Sequence, residues 1–226
     1  MAFTLDQIVP WGRSFDEYVK MFGLTEADLG GRILGCGDGP ASFNATMRDR
    51  ERFVVSVDPL YRFTADAIRR RVEEVCATIM KQLLVNQSDY VWTTIASPEQ
   101  VGQIRMQAME AFLADYPGGI DENRYLPHEL PSLPFPDGLF DLAICSHLLF
   151  TYSEQLSGDF HRSAVLEMAR VAGEVRVFPL LDMAGRPSPH LPAVCESLSA
   201  AGFHWAIQPV DYEFQRNGNQ MLRLWC

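Results

Sequence analysis

The chain has no Cys-x-x-Cys pair, no apolar run near the roughly 18 residues that span a membrane, and no surplus of basic residues. Each absence removes a class of protein. The five cysteines, Cys36, Cys76, Cys145, Cys195 and Cys226, are odd in number and widely scattered. Such a set indicates neither a disulfide framework nor a zinc or other metal site, and it suits a reducing compartment. Lys and Arg number 19 against 29 Asp and Glu, a formal charge of −10, which argues against a phosphate backbone as partner. The run Arg69-Arg70-Arg71 points three ways on one helical turn beside Glu73 and Glu74, the pattern of a solvated face. The opening Met-Ala-Phe-Thr-Leu-Asp has neither the basic nor the apolar region of a secretory leader, so the expected setting is soluble and cytoplasmic, with no membrane partner. No internal repeat or low-complexity tract is present. The 226 residues suffice for one α/β domain with a sizeable core and are too few for two full domains.

What the sequence does contain centres on residues 33 to 59. The apolar stretch Ile33-Leu34 runs into glycines at alternate positions, Gly35, Gly37 and Gly39. A helical segment follows, and Phe53-Val-Val-Ser-Val ends in Asp58-Pro59. Strand, glycine turn, helix and a second strand closed by an acid outline a nucleotide-binding βαβ half. Glycines let the backbone turn sharply and approach a ligand, and an acid after the second strand can accept ribose hydroxyls. A dinucleotide fingerprint needs Gly-x-Gly-x-x-Gly, whereas here the third glycine comes one residue early and Pro40 takes the last place.

These residues resemble the first motif of class I S-adenosylmethionine-dependent methyltransferases, a strand followed by Gly-Cys-Gly-x-Gly, with an acid ending the second strand. The resemblance implies S-adenosylmethionine as cofactor. It implies that Gly35, Cys36, Gly37, Asp38 and Gly39 line its methionine and ribose part, and that Asp58, with Pro59, takes the ribose hydroxyls. The family usually carries an acid two positions before the first glycine, near the methionine amino group. This chain has Ile33 there, and Asp38 is the possible substitute. Further on, Leu133-Pro134-Phe135 and then Phe140-Asp-Leu-Ala-Ile-Cys145 also resemble the family, which implies that Glu129 and Leu130 flank the adenine ring. Asp141, at the start of that strand, reads as structural. In open α/β sheets ligands bind beyond the carboxyl ends of the strands, so Ser146 joins the cofactor set and His147 falls near the transferable methyl. His147 is the candidate base, Tyr152 the second, and His161 trails them.

The rest of the chain is read around this frame. Ser14-Phe-Asp-Glu17 is a capping box opening a helix that Gly23 ends, and the aromatics Trp11, Phe15, Tyr18 and Phe22 read as core in preference to a lid. Thr25 to Asp28 forms a short second turn. Between Asp58 and Arg124 two helices are expected where the family needs one. The first carries Ile68, Val72, Val75, Ile79 and Leu83 on one stripe. The second is opened by Ser97-Pro98 and ended by Pro117-Gly118-Gly119. They form a helical insertion at about 62–120, either enlarging the core or covering substrate. Strands are expected at Arg124–Pro127 and Glu174–Pro179, and helices at Phe160–Val171 and Leu191–Ala201. Two closing strands, Trp205–Phe214 and Gln220–Trp225, turn at Asn217-Gly218. The fold class is α/β, a three-layer Rossmann-like methyltransferase fold over 1–226 whose seven-stranded mixed sheet ends in a C-terminal antiparallel hairpin. The expected activity is methyl transfer to a small-molecule or protein acceptor, with the oligomeric state open. A non-catalytic ligand sensor or interaction module of the same fold is the alternative, and a nicotinamide-dependent oxidoreductase is disfavoured by Pro40 and the terminal hairpin.

Overall fold

In the computed structural model, which describes residues 9–225, the strands alternate their side chains between two buried faces. The opening segment read above for a leader and Cys226 lie outside the described residues. Strand β1 (Ile33–Cys36) runs parallel to β2 (Val54–Val57) on one side and to β4 (Phe140–Ser146) on the other. Outside these lie β3 (Tyr125–Leu126) and β5 (Ala172–Phe178), and β7 (Gln220–Trp225) and β6 (His204–Pro209) complete the order β3-β2-β1-β4-β5-β7-β6. The last two pairings are antiparallel, as expected for the closing strand pair.

The period of two sorts the core. Ile33, Val54, Leu142 and Ile144 face α1 (Phe15–Phe22), α2 (Glu26–Leu29) and α3 (Phe43–Asp49). Leu34, Val55, Ala143 and Cys145 face α6 (Gly158–Val171) and α7 (Leu191–Ala200). Helices therefore cover both faces, giving three layers. A third cluster joins α4 (Ala65–Val85) and α5 (Pro98–Asp121) to Tyr125 of β3 through Ile68, Val72, Phe112 and Tyr116. All five residues of the expected α4 stripe are buried.

The capping box of α1 is complete. Glu17 N donates to Ser14 Oγ at 3.3 Å, Ser14 N donates to the Glu17 carboxylate at 2.9 Å, and Gly23 adopts a left-handed φ of +56°. Phe15, Tyr18 and Phe22 of this helix are core residues, as expected, and Tyr18 with Trp11 also lines a cavity described below. At the far end of the sheet, Asp141 accepts from Arg32 N at 2.7 Å and pairs with its guanidinium at 2.9 Å, half exposed and so worth little energy. Arg69 and Arg71 pair with Glu110 and Glu74 at the surface.

Several boundaries differ from expectation, three of them with a clear physical reason. Helix α5 does not stop at Pro117-Gly118-Gly119 but continues to Asp121. Packing outweighs the roughly 3 kcal/mol cost of an interior proline. Tyr116 donates to the carbonyls of Tyr61 and Phe63 at 3.0 Å, and Gly119 lets the Tyr125 ring approach to 2.3 Å of where a Cβ would stand. Next, β5 begins at Ala172, two residues before the expected Glu174, because Ala172 is already extended and caps α6 through Met168 O. Finally, β6 ends at Pro209, and Asn217-Gly218 does not make a two-residue turn. Residues 211–218, beyond the Val210 N to Asn219 O bond of 2.9 Å, leave the sheet because Tyr212 is drawn onto Glu17 (2.8 Å) and Phe214 stacks on Tyr90 at 4.7 Å. Tyr90-Val-Trp92 receives this excursion, with Val91 N donating to Phe214 O at 2.8 Å.

Adjacent glycines of α5 separate packing from propensity. Gly119→Ala should destabilise by about 1–3 kcal/mol through overpacking against Tyr125. Gly118→Ala, with nothing within 4 Å of the new Cβ, should stabilise by about 0.5–1 kcal/mol. Urea unfolding of the two variants checks this, and equal effects would refute the packing account.

Candidate functional site

Because β1 has neighbours on both sides whose connections run in opposite directions, a crevice opens beyond the carboxyl ends of β1, β2 and β4. It is a cavity of about 640 Å³, within the range of small-molecule sites. The turn after β1 supplies Gly37, Asp38 and Gly39, the turn after β2 supplies Asp58 and Pro59, and the turn after β4 supplies Ser146 and His147. Glu129, Leu130 and Tyr152 also line it. Ten of the twelve residues expected at the site therefore meet here. Gly35 and Cys36 do not line the cavity.

Gly35 acts from behind the wall. A Cβ on it would stand 1.8 Å from the Asp38 carboxylate, so only glycine allows Asp38 to fold back over β1. There Asp38 accepts from Tyr18 Oη at 2.9 Å and Ser56 Oγ at 2.6 Å. Burial pushes this carboxyl up to about 6 despite the two donors, and nearby Asp58 pushes the same way. Gly37 and Gly39 have φ of +67° and +53°, and a Cβ at Gly37 would meet Leu148 at 2.5 Å. Cys36 is fully buried on the α6 face, and Ile33 is fully buried on the α1 face.

Asp58 is held by two backbone donors, Gly39 N at 2.9 Å and Leu60 N at 2.8 Å, while Tyr61 Oη donates to Gly39 O at 2.8 Å. Burial nonetheless raises its carboxyl above the ordinary value. The glycine turn and the acid after β2 are thus one hydrogen-bonded unit. Glu129 is half exposed and pairs with Arg62 at 3.3 Å.

His147 has a left-handed φ of +55°, its N–H donates to Phe178 O at 2.8 Å, and its Nδ1 lies 2.9 Å from Ser146 Oγ. Burial, then the positive charges of Arg13 and Arg105, hold its imidazole well below the ordinary histidine range. It is neutral at pH 7 and a weak base. Tyr152 Oη accepts from Val9 N at 3.2 Å, and burial raises its phenol. His161 is fully buried and accepts from Phe150 N at 3.0 Å, a structural role.

Several lining residues escape sequence reasoning. Gly12 presses so closely on Pro40 that a Cβ would stand 2.1 Å from its carbonyl oxygen, which fixes Trp11 and Arg13 at the cavity wall. Beside them Arg105, only 1% exposed, makes a close ion pair with Glu17, whose other oxygen accepts from Tyr212 Oη at 2.8 Å. One signal was available: Arg105 stands on the α5 stripe of Val101, Ala108 and Phe112, where a charge is out of pattern. Among the described residues no group of three or more His, Cys, Asp or Glu could hold a metal ion. No helix among them is long and apolar enough to cross a membrane.

Compared with solved structures, the chain is similar to the magnesium protoporphyrin IX methyltransferase of Synechocystis PCC 6803 with bound S-adenosylmethionine. The TM-score is 0.50 at 12% identity, over 93% of this chain and 77% of that one. The chain has the class I methyltransferase fold. A methyltransferase of Aquifex aeolicus with the same cofactor dependence is similar at TM-score 0.43 and 15% identity, over 93% of this chain and 87% of that one. By sequence, the chain is 28% identical over 220 residues to an uncharacterized protein of Methanocaldococcus jannaschii, covering 97% of this chain and 96% of that protein. No protein-family model matches. Within the methyltransferase fold, this chain's departure is the acid: the usual position holds Ile33, and the carboxylate at the cavity wall is Asp38.

The raised Asp38 carboxyl has a consequence for the ligand-free protein. The unfolded chain loses this proton near the ordinary value of 3.8 and the folded one at about 6, so stability falls as pH rises through that window. The cost at pH 7.5 is up to about 3 kcal/mol. Asp38→Asn should therefore stabilise the protein more at pH 7.5 than at pH 4. Urea unfolding at the two pH values checks this, and a pH-independent effect would refute it.

Proposed function

We propose that the chain binds S-adenosylmethionine in the 640 Å³ cavity and catalyses methyl transfer to a small-molecule or protein acceptor. The observation that carries this reading is the single wall on which Gly37, Asp38, Gly39 and Asp58 meet, with the turn and Asp58 joined through Gly39 N. Asp58 retains lone pairs for ribose hydroxyls beyond the two it gives to backbone N–H groups. Asp38 takes over from the acid missing at Ile33 as partner of the methionine amino group, held in place by Tyr18 and Ser56. Glu129 and Leu130, after β3, flank the adenine side.

When bound, S-adenosylmethionine supplies an electrophilic methyl on a sulfonium, whose transfer breaks the carbon–sulfur bond and leaves a neutral thioether. The protein's task is to hold the acceptor in line, an effect worth about 7–11 kcal/mol in well-oriented systems. His147 and Tyr152 stand on the wall where the acceptor enters. With its basicity lowered by burial and two arginines, His147 suits an acceptor that is already nucleophilic and serves mainly to orient it. Among the described residues the four cysteines, Cys36, Cys76, Cys145 and Cys195, are free, which supports a reducing, cytoplasmic setting.

Isothermal titration should show S-adenosylmethionine and S-adenosylhomocysteine binding tighter than about 1 mM, and no binding at that concentration would end the proposal. Asp58→Ala should weaken binding about 10- to 100-fold, the loss of charge-assisted hydrogen bonds, with unfolding midpoints confirming an intact fold. Labelled-methyl transfer over a panel of acceptors separates the enzyme from a ligand sensor of the same fold, which would bind without turnover.

A further inference from the structure

A second, smaller pocket of about 110 Å³ adjoins the main cavity and shares with it Trp11, Arg13, Ile79, His147, Thr151 and Met183. Its remaining wall is largely apolar, including Leu83, Val101 and Phe178, with Arg105 and Tyr212 among it. Among the described residues three buried side-chain polar atoms have no hydrogen-bond partner: Arg13 Nε, Arg105 Nε and Thr151 Oγ1. All three belong to residues lining this one pocket. Buried donors left unpaired are costly, and a well-packed protein leaves few of them.

The charges around the pocket are unbalanced. Arg13 and Arg105 contribute two positive charges and Glu17 one negative, since burial pushing the Glu17 carboxyl up is outweighed by both arginines, which bring it down to about 2. Tyr212 is neutral and donates to Glu17. Arg13 donates to the Trp11 carbonyl at 2.6 Å and pairs with no carboxylate among the described residues. Burial and then Arg105 lower its guanidinium to about 10, a cost that a negative partner would relieve. One net positive charge in a small, mostly apolar pocket matches a single carboxylate better than a doubly charged phosphate.

We propose that this pocket seats a carboxylate of the methyl acceptor, so that the substrate is a small organic acid anchored by Arg13, Arg105 and Thr151. The inference rests on the methyltransferase reading and names the substrate class for that site. His147, shared by both cavities, marks where the acid's reactive end meets the cofactor side.

The test uses the full chain and two pairs of probes, acetate with acetamide and benzoate with benzamide, read by thermal shift and calorimetry at constant ionic strength, with phosphate as a further arm. At least one carboxylate should bind and raise the melting temperature, while its neutral amide has no effect. Arg13→Gln, which removes no partner from the ion pairs found among the described residues, should weaken carboxylate binding about tenfold or more, and Thr151→Val severalfold. Circular dichroism and urea midpoints should show both variants folded, so that the loss reads the anion seat. Equal binding of acid and amide, no carboxylate binding, phosphate binding tighter than either acid, or unchanged carboxylate affinity in both variants would each overturn the assignment. Should Arg13→Gln fail to fold, Thr151→Val decides alone. Wild-type protein that binds the carboxylates but no S-adenosylhomocysteine would overturn the cofactor reading and leave the anion seat standing.

Discussion

The Glu17 carboxylate is the interaction on which the rest of the site depends. One oxygen caps α1 through Ser14 and pairs with Arg105 of α5, and the other receives Tyr212 from the excursion between β6 and β7. Three segments remote in sequence thereby close one side of the crevice. Removing one member of a buried ion pair typically costs about 3–5 kcal/mol, because the remaining charge is stranded. Trp11, Arg13 and Tyr18 sit on or beside the helix so anchored, and the cavity wall takes its shape from them.

On the opposite wall the constraint is the absence of a side chain. Gly35 leaves room for the Asp38 carboxylate, and the positive φ values of Gly37 and Gly39 bring the turn under Asp58. Two buried acids are thus held close together, each supported by two donors that leave lone pairs free. Burial raises both carboxyls above their ordinary range, an electrostatic cost of the kind binding sites often carry. A cationic amino group beside Asp38 and hydroxyls at Asp58 would reduce it.

Much of this was readable from residue order. The alternate glycines, the apolar strands around them and Asp58 identified the crevice, because backbone geometry without Cβ atoms and strand periodicity are local properties. The α1 capping box and the α4 stripe were equally local. The α5 terminus departs from residue order because Pro117-Gly118-Gly119 breaks helices in isolation, while contacts with Tyr61 and Tyr125 hold it helical. The final turn departs from it for the same kind of reason, since Asn217-Gly218 favours a tight hairpin but Tyr212 and Phe214 find partners elsewhere.

By itself the sequence determined the element order, the glycine turn and its paired acid, since spacing along one chain dictates them. Only the tertiary structure decided that Asp38 occupies the wall behind which Ile33 is buried, and that Arg13, Arg105 and Thr151 share a pocket. Those groups come from α1's approach, α5 and the turn after β4, and their mutual distances depend on how helices pack on the sheet. Charge, burial and unpaired donors acquire chemical meaning only once that packing brings them together.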